Sequence, residues 1–127
     1  MGAKKKTIMI VDDEPHILDL IKVTLGEEYE YIEAKEAEEA FEKLKKHKPD
    51  LILLDIMLPG MDGFQICQRL RNDPDTRDIV IAMLSAKKED HDILTGIDVG
   101  AVAYITKPFN PYELQEKVKE LLDIGSF

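Results

Sequence analysis

Asp12-Asp13-Glu14, Asp55, Ser85 and Thr106-Lys107 each stand at the end of a short apolar run. If Asp12, Asp13 and Asp55 were gathered in one place they would carry a charge of −3, and repulsion would raise at least one carboxyl pKa. A divalent cation together with Lys107 supplies +3 and balances the cluster. All-oxygen ligation suits Mg²⁺, which keeps several waters and takes only one or two carboxylates. A cation with an open position, a lysine and a hydroxyl form a receptacle for a phosphoryl group, because phosphoryl transfer needs mainly positioning and charge neutralisation. A carboxylate can itself be the nucleophile and form an acyl phosphate.

Taken singly, each piece also has an ordinary reading. Asp12-Asp13 before Pro15 suits a helix N-terminus. Asp55 suits a turn, Ser85 a loop hydroxyl or cap, and Lys107 a solvated side chain. What would join them is a fold that brings all of them to one edge.

The chain alternates short apolar runs with amphipathic stretches. The runs are Ile8–Val11, Tyr31–Ala34, Leu51–Leu54, Ile79–Leu84 and Val102–Ile105. Most are continuous rather than alternating, as expected of strands covered on both faces. Helix-period stripes separate them: Ile17, Leu18, Ile21 and Leu25; Ala37, Ala40, Phe41 and Leu44; Phe64, Cys67 and Leu70; Ile93, Leu94 and Ile97; then Leu114, Val118, Leu121 and Leu122. Pro15 suits the first turn of a helix, and Asp62…Gln65 and Asn110-Pro111-Tyr112-Glu113 read as capping boxes. Gly26 and Gly100 stand where helices should stop. Five βα units in a row predict an α/β fold, a parallel five-stranded sheet with five helices on both faces. In such sheets ligands bind outside the carboxyl ends of the strands, where strand order reverses. The order 2-1-3-4-5 makes the first and third strands neighbours. Asp12 and Asp13 then meet Asp55, while the fourth and fifth strands bring Ser85 and Lys107 to the same pocket.

Bulk properties narrow the function. A chain of 127 residues with 44% hydrophobic residues suits one domain with one core, expected over residues 1–127 with its body at about 6–122 and no output domain. Seventeen Lys plus Arg against 26 Asp plus Glu give a net charge of −9, which argues against direct nucleic-acid binding. Lys4-Lys5-Lys6 reads as a solvated tail. No apolar run approaches the roughly 20 residues of a membrane span, so a cytoplasmic location without membrane insertion is expected. The single cysteine, Cys67, cannot form an internal disulfide and reads as an inert core thiol. His16, His47 and His91 lack metal-ligand spacing and read as surface residues. No glycine-rich nucleotide-binding motif is present.

Val11-Asp12-Asp13-Glu14, the stretch Leu53-Leu54-Asp55-Ile56-Met57-Leu58-Pro59-Gly60-Met61-Asp62-Gly63, Leu84-Ser85-Ala86 and Lys107-Pro108-Phe109 together resemble the response-regulator receiver family, the CheY-like domains of two-component signal transduction. The resemblance runs from about Lys6 to Leu122 and implies a flavodoxin-like, three-layer fold. It implies that Asp55 is the phosphoacceptor and that Asp12, Asp13, Asp55 and the Met57 backbone carbonyl hold Mg²⁺, for which Mn²⁺ can substitute. Ser85, Lys107 and Tyr104 take the roles of phosphoryl-binding and switch residues, and the Lys107-Pro108 bond is expected to be cis. A sensor histidine kinase or a phosphotransfer protein would donate the phosphoryl group. The face of the fourth helix, fifth strand and fifth helix would then signal to an output protein, from a monomer or a phosphorylation-dependent dimer. Met57 and Lys87 match positions that tune dephosphorylation. Two departures stand out: Ser85 replaces the commoner Thr, and Val102-Ala103 replaces the acidic residues that support a charge-paired dimer in many DNA-binding members.

Two other functions compete. One is a protein-interaction module of the same fold that works without phosphorylation; a complete acidic pocket argues against it. The other is a Mg²⁺-dependent phosphohydrolase. Asp55-Ile56-Met57 lacks an acid two residues beyond the nucleophile, and no insertion is long enough for a cap. The expectation is therefore a switch and not an enzyme, with only self-phosphorylation from small donors and self-dephosphorylation.

Overall fold

The apolar runs become strands that carry their polar ends with them. The computed structural model describes residues 4–85 and 100–124. In chain order these form β1 (Lys6–Val11), α1 (Pro15–Leu25), β2 (Tyr29–Ala34), α2 (Ala37–Lys46), β3 (Leu51–Asp55), α3 (Gly63–Asn72), β4 (Val80–Ser85), β5 (Ala103–Thr106) and a last helix, α4 (Pro111–Ile124). The strands pair in parallel in the order β2-β1-β3-β4-β5, as predicted. The predicted helix with Ile93, Leu94 and Ile97 lies outside the described residues, as do Lys87 and His91.

The sheet is covered on both faces. On one, Met9, Val11, Ile52, Leu54, Ile81 and Met83 pack with Ala40 and Leu44 of α2 and Ile66, Cys67 and Leu70 of α3. On the other, Ile8, Ile10, Leu51, Leu53, Ala82 and Leu84 pack with Leu18 and Ile21 of α1 and Leu114, Val118 and Leu121 of α4. Successive strand residues alternate between these layers, so each continuous apolar run serves two cores. Each buried Leu or Ile contributes about 1.5–3 kcal/mol by leaving water.

The local signals work as their chemistry suggests. Pro15 occupies the first turn of α1, and Gly26 ends that helix at φ +86°. Asp62 and Gln65 make a reciprocal capping box at the start of α3. Asn110 Oδ1 accepts from the amides of Tyr112 and Glu113 at the start of α4. β1 and β2 each begin two residues before their predicted apolar runs, because Lys6, Thr7, Tyr29 and Glu30 join the ladder despite their polarity. Along the exposed edge formed by β2, Lys43 Nζ donates to the Glu33 carbonyl and Lys22 Nζ pairs with the Glu33 carboxylate.

Candidate functional site

Val11 pairs with Leu54 where β1 and β3 run side by side, so the next residue of each strand, Asp12 and Asp55, emerges at the same sheet edge. The Asp12 amide donates to the Ala34 carbonyl at 3.0 Å, which ties the end of β1 to β2. Asp55 is still within the ladder, opposite Leu84 of β4, and the following Ile56 amide donates to the Leu84 carbonyl at 3.0 Å. Both carboxylates are therefore held by the hydrogen bonds of adjacent strand ends.

Asp12 is fully buried, Asp55 is 4% exposed, and Asp13 is exposed. Oxygens of all three lie within 4.8 Å of one another. Lys107, just beyond β5, reaches back across the edge. Its Nζ lies 2.8 Å from Asp12 Oδ2 and 3.5 Å from Asp55 Oδ1. The other Asp12 oxygen accepts the Glu14 amide at 3.0 Å, and Asp55 Oδ1 accepts the Met57 amide at 3.1 Å.

Burial and the Asp12 charge push the Asp55 carboxyl above its ordinary pKa, with Asp13 adding to the shift; Lys107 and the Met57 amide oppose them. Burial disfavours the Lys107 ammonium, but its hydrogen bond to Asp12 and the charges of Asp12, Asp55 and Glu14 outweigh that cost and hold its pKa above the usual lysine value. Lys107 cancels one of the three negative charges and leaves two, the charge of a divalent cation. The donors are all oxygen and partly open to solvent through Asp13. The residues present thus fit a hard divalent cation of the Mg²⁺ class.

The other predicted residues sit around this cluster. Ser85, 2% exposed, pairs with Thr106 in the ladder, and the Lys107 amide donates to the Ser85 carbonyl. Ser85 is thus the last residue of β4, just as Asp55 is the last of β3, rather than the first residue beyond a strand. Tyr104 lies opposite Met83 and packs half-buried against the core on the α2 and α3 side. The Met57 side chain is exposed, and its backbone is held beside Asp55. The Lys107-Pro108 bond is cis. Cys67 is fully buried in the core between the sheet and α3. His16 and His47 are exposed.

Gly63, the last residue of the motif that begins at Leu53, has a positional task. Its amide donates to the Ile56 carbonyl at 3.0 Å, bringing the start of α3 against the backbone of Asp55. It stands directly after the helix cap Asp62.

Among the described residues no helix is long and apolar enough to cross a membrane. The family model for the response regulator receiver domain matches residues 8–119. The chain is 48% identical over 118 residues to the phosphate regulon transcriptional regulatory protein PhoB of Pseudomonas aeruginosa, covering 92% of this chain and 52% of that one. It is 43% identical over 118 residues to the alkaline phosphatase synthesis transcriptional regulatory protein PhoP of Bacillus subtilis, covering 92% and 48%. The chain thus spans about half the length of these curated relatives. Among solved structures, the chemotaxis response regulator CheY4 of Vibrio cholerae superposes with a TM-score of 0.86 at 28% identity, covering 93% of this chain and 99% of that one. A CheY-like response regulator receiver domain protein from Methanospirillum hungatei does so with a TM-score of 0.84 at 35% identity, covering 96% and 97%. With its sheet order, its acidic edge and these relatives in agreement, the chain belongs to the response regulator receiver domain family.

Proposed function

We propose that this domain is a phosphorylation switch in which Asp55 accepts a phosphoryl group from the phosphohistidine of a sensor histidine kinase or phosphotransfer protein, or from a small donor such as acetyl phosphate. The observation that carries this reading is the buried Asp55 carboxylate, held at a strand end within reach of both Lys107 and the Asp12-Asp13 pair. An Asp55 oxygen attacks phosphorus, the bond from phosphorus to the donor nitrogen or oxygen breaks, and the donor departs with that electron pair. An acyl phosphate remains on Asp55. Lys107 is poised to trade part of its contact with Asp12 for the incoming phosphoryl oxygens. Mg²⁺, or Mn²⁺ in its place, held by Asp12, Asp13, Asp55 and the Met57 carbonyl, would supply the positive charge that offsets these carboxylates and the phosphoryl group.

The Ser85 hydroxyl follows the new oxygens and Tyr104 turns further into the core, which alters the surface around β5 and α4 that an output protein reads. The added group shifts this equilibrium only by the difference in its interaction with the two arrangements. No turnover of a separate substrate is expected, only self-phosphorylation and slow self-dephosphorylation. The exposed Val102, where acidic residues support a charge-paired dimer in other members, favours a monomer or a dimer held by other contacts.

The test is intact mass after incubation with acetyl phosphate, with and without Mg²⁺, beside Asp55→Asn. A Mg²⁺-dependent phosphoryl adduct that is missing from the variant supports the switch. Failure to form an adduct, together with failure to bind beryllofluoride in an NMR titration, overturns it.

A further inference from the structure

Arg71, near the end of α3, spends its guanidinium on backbone carbonyls of two other segments. Nε and Nη2 both donate to the Gly100 carbonyl, at 3.1 and 2.7 Å. Nη1 donates to the carbonyls of Arg77 and Ile79, each at 2.7 Å. One side chain thus joins the C-terminal turn of α3, the loop leading into β4 and the loop leading into β5. Only a planar fork of several donors can serve these acceptors together; a lysine ammonium offers one compact charge on a flexible stem.

Gly100 is shaped to receive this side chain. A Cβ there would stand 2.5 Å from Arg71 Nε, 2.6 Å from Cγ and 2.8 Å from Cδ, and its φ of +100° is one that side-chain-bearing residues rarely adopt. Immediately afterwards Ala101 is buried and the Val102 amide donates to the Ile81 carbonyl at 2.9 Å, which sets the register in which β5 joins β4. Tyr104 and Lys107 follow along that strand and its end. The other end of α3 abuts Asp55 through Gly63. The helix therefore has one end on the Asp55 backbone, while a side chain near its other end grips the approach to β5.

We propose that Arg71 is a positioning residue of the phosphoryl switch: by clamping the Gly100 loop it fixes the register in which β5 presents Tyr104 and Lys107. This role rests on the switch reading above, and the experiment separates the two. Arg71→Ala and Arg71→Lys would be compared with Leu44→Ala, a core truncation in α2 that removes stability and leaves the Gly100 hydrogen bonds in place. Two quantities would be read by NMR: native-state amide exchange at Val102 against the amides of β1, and the midpoint of a beryllofluoride titration in Mg²⁺. In both Arg71 variants the Val102 amide should exchange about ten-fold faster while β1 keeps its rates, and beryllofluoride should bind about three- to ten-fold more weakly. Leu44→Ala should move all exchange rates together and leave the titration midpoint in place. Exchange at Val102 that changes only in step with β1, or a titration unchanged in both Arg71 variants, overturns the role of Arg71 alone. A wild-type protein that does not bind beryllofluoride overturns the switch reading and this role with it.

Discussion

A Cβ placed on Gly63 would lie 2.6 Å from the carbonyl oxygen of Asp55 and 2.9 Å from the Ile56 Cα. Both neighbours are backbone, so nothing flexible can yield. Gly63→Ala must push α3 away from the end of β3 and is expected to cost about 1–3 kcal/mol in a urea melt. Because the displaced atoms carry Asp55, adduct formation from acetyl phosphate should slow by about ten-fold or more. Wild-type stability and rate in the variant would show that the strand end does not depend on this contact.

In the absence of divalent ions the three carboxylates repel one another, and the charge of the buried Asp55 is disfavoured both by burial and by Asp12. Asp55→Asn should therefore be more stable than wild type in EDTA, by on the order of 1 kcal/mol. Added Mg²⁺ should stabilise the wild type by about 2.7 kcal/mol at a hundred-fold excess over its dissociation constant, and the variant by less. Thermal melts of both proteins, with EDTA and with Mg²⁺, decide this. An Asn variant less stable than wild type in EDTA would contradict the repulsion argument.

Lys107 is the cation paired directly with the fully buried Asp12. Lys107→Ala leaves that carboxylate without its ammonium, a change expected to cost about 3 kcal/mol in EDTA. Mg²⁺ should restore part of the loss by supplying charge from the other side. If the melts of Lys107→Ala and wild type coincide in EDTA, the pair adds nothing to the fold.

Burial pushes the Cys67 thiol from 9.0 up to about 11, against a small opposing effect of Arg71. The unfolded chain releases this proton near pH 9 while the folded one holds it to about pH 11. The stability tied to Cys67 is thus complete below pH 9 and is lost as pH rises toward 11. Between pH 8 and 10.5 the wild type should lose about 2 kcal/mol that Cys67→Ala does not lose. Tyr31, raised to about 12 chiefly by burial, adds an alkaline loss common to both proteins, so the difference between their urea melts isolates the thiol. Parallel curves would rule the thiol out as the cause.

The Asp62 side chain accepts the Gln65 amide at 2.9 Å while Gln65 Oε1 accepts the Asp62 amide at 3.0 Å. Asp62→Ala removes half of this box and should cost about 1 kcal/mol, with a double-mutant cycle against Gln65→Ala showing positive coupling. Additive losses would mean that the two bonds act independently.

Sheet order, the two-sided core and the meeting of Asp12, Asp13, Asp55 and Lys107 were all legible in the sequence, because they follow from apolar runs, helical stripes and the residues at strand ends. The strand ends themselves were less so. Hydropathy marks only apolar residues, whereas Lys6, Thr7, Tyr29 and Glu30 pair through backbone groups that every residue carries. For the same reason Asp55 and Ser85 looked like loop residues although each closes a ladder. Arg71 gave no sign at all. In sequence it is one of two arginines in the last turn of a helix, and its acceptors are carbonyls, which no residue pattern records. Gly63 was visible as part of a motif, but its reason, the lack of room over Asp55, is a property of packing.

The β2 edge has a consequence for the molecule as a solute. A sheet margin with free amides and carbonyls is a template on which another copy can crystallise its own strand, and such growth has no natural end. Here an ammonium from Lys43 sits on the Glu33 carbonyl, and Lys22 stands over the same residue. A second backbone approaching this margin would have to strip both cations away, with the negative charge of each copy resisting the approach. The margin is therefore guarded at Glu33 against the addition of a strand from another copy.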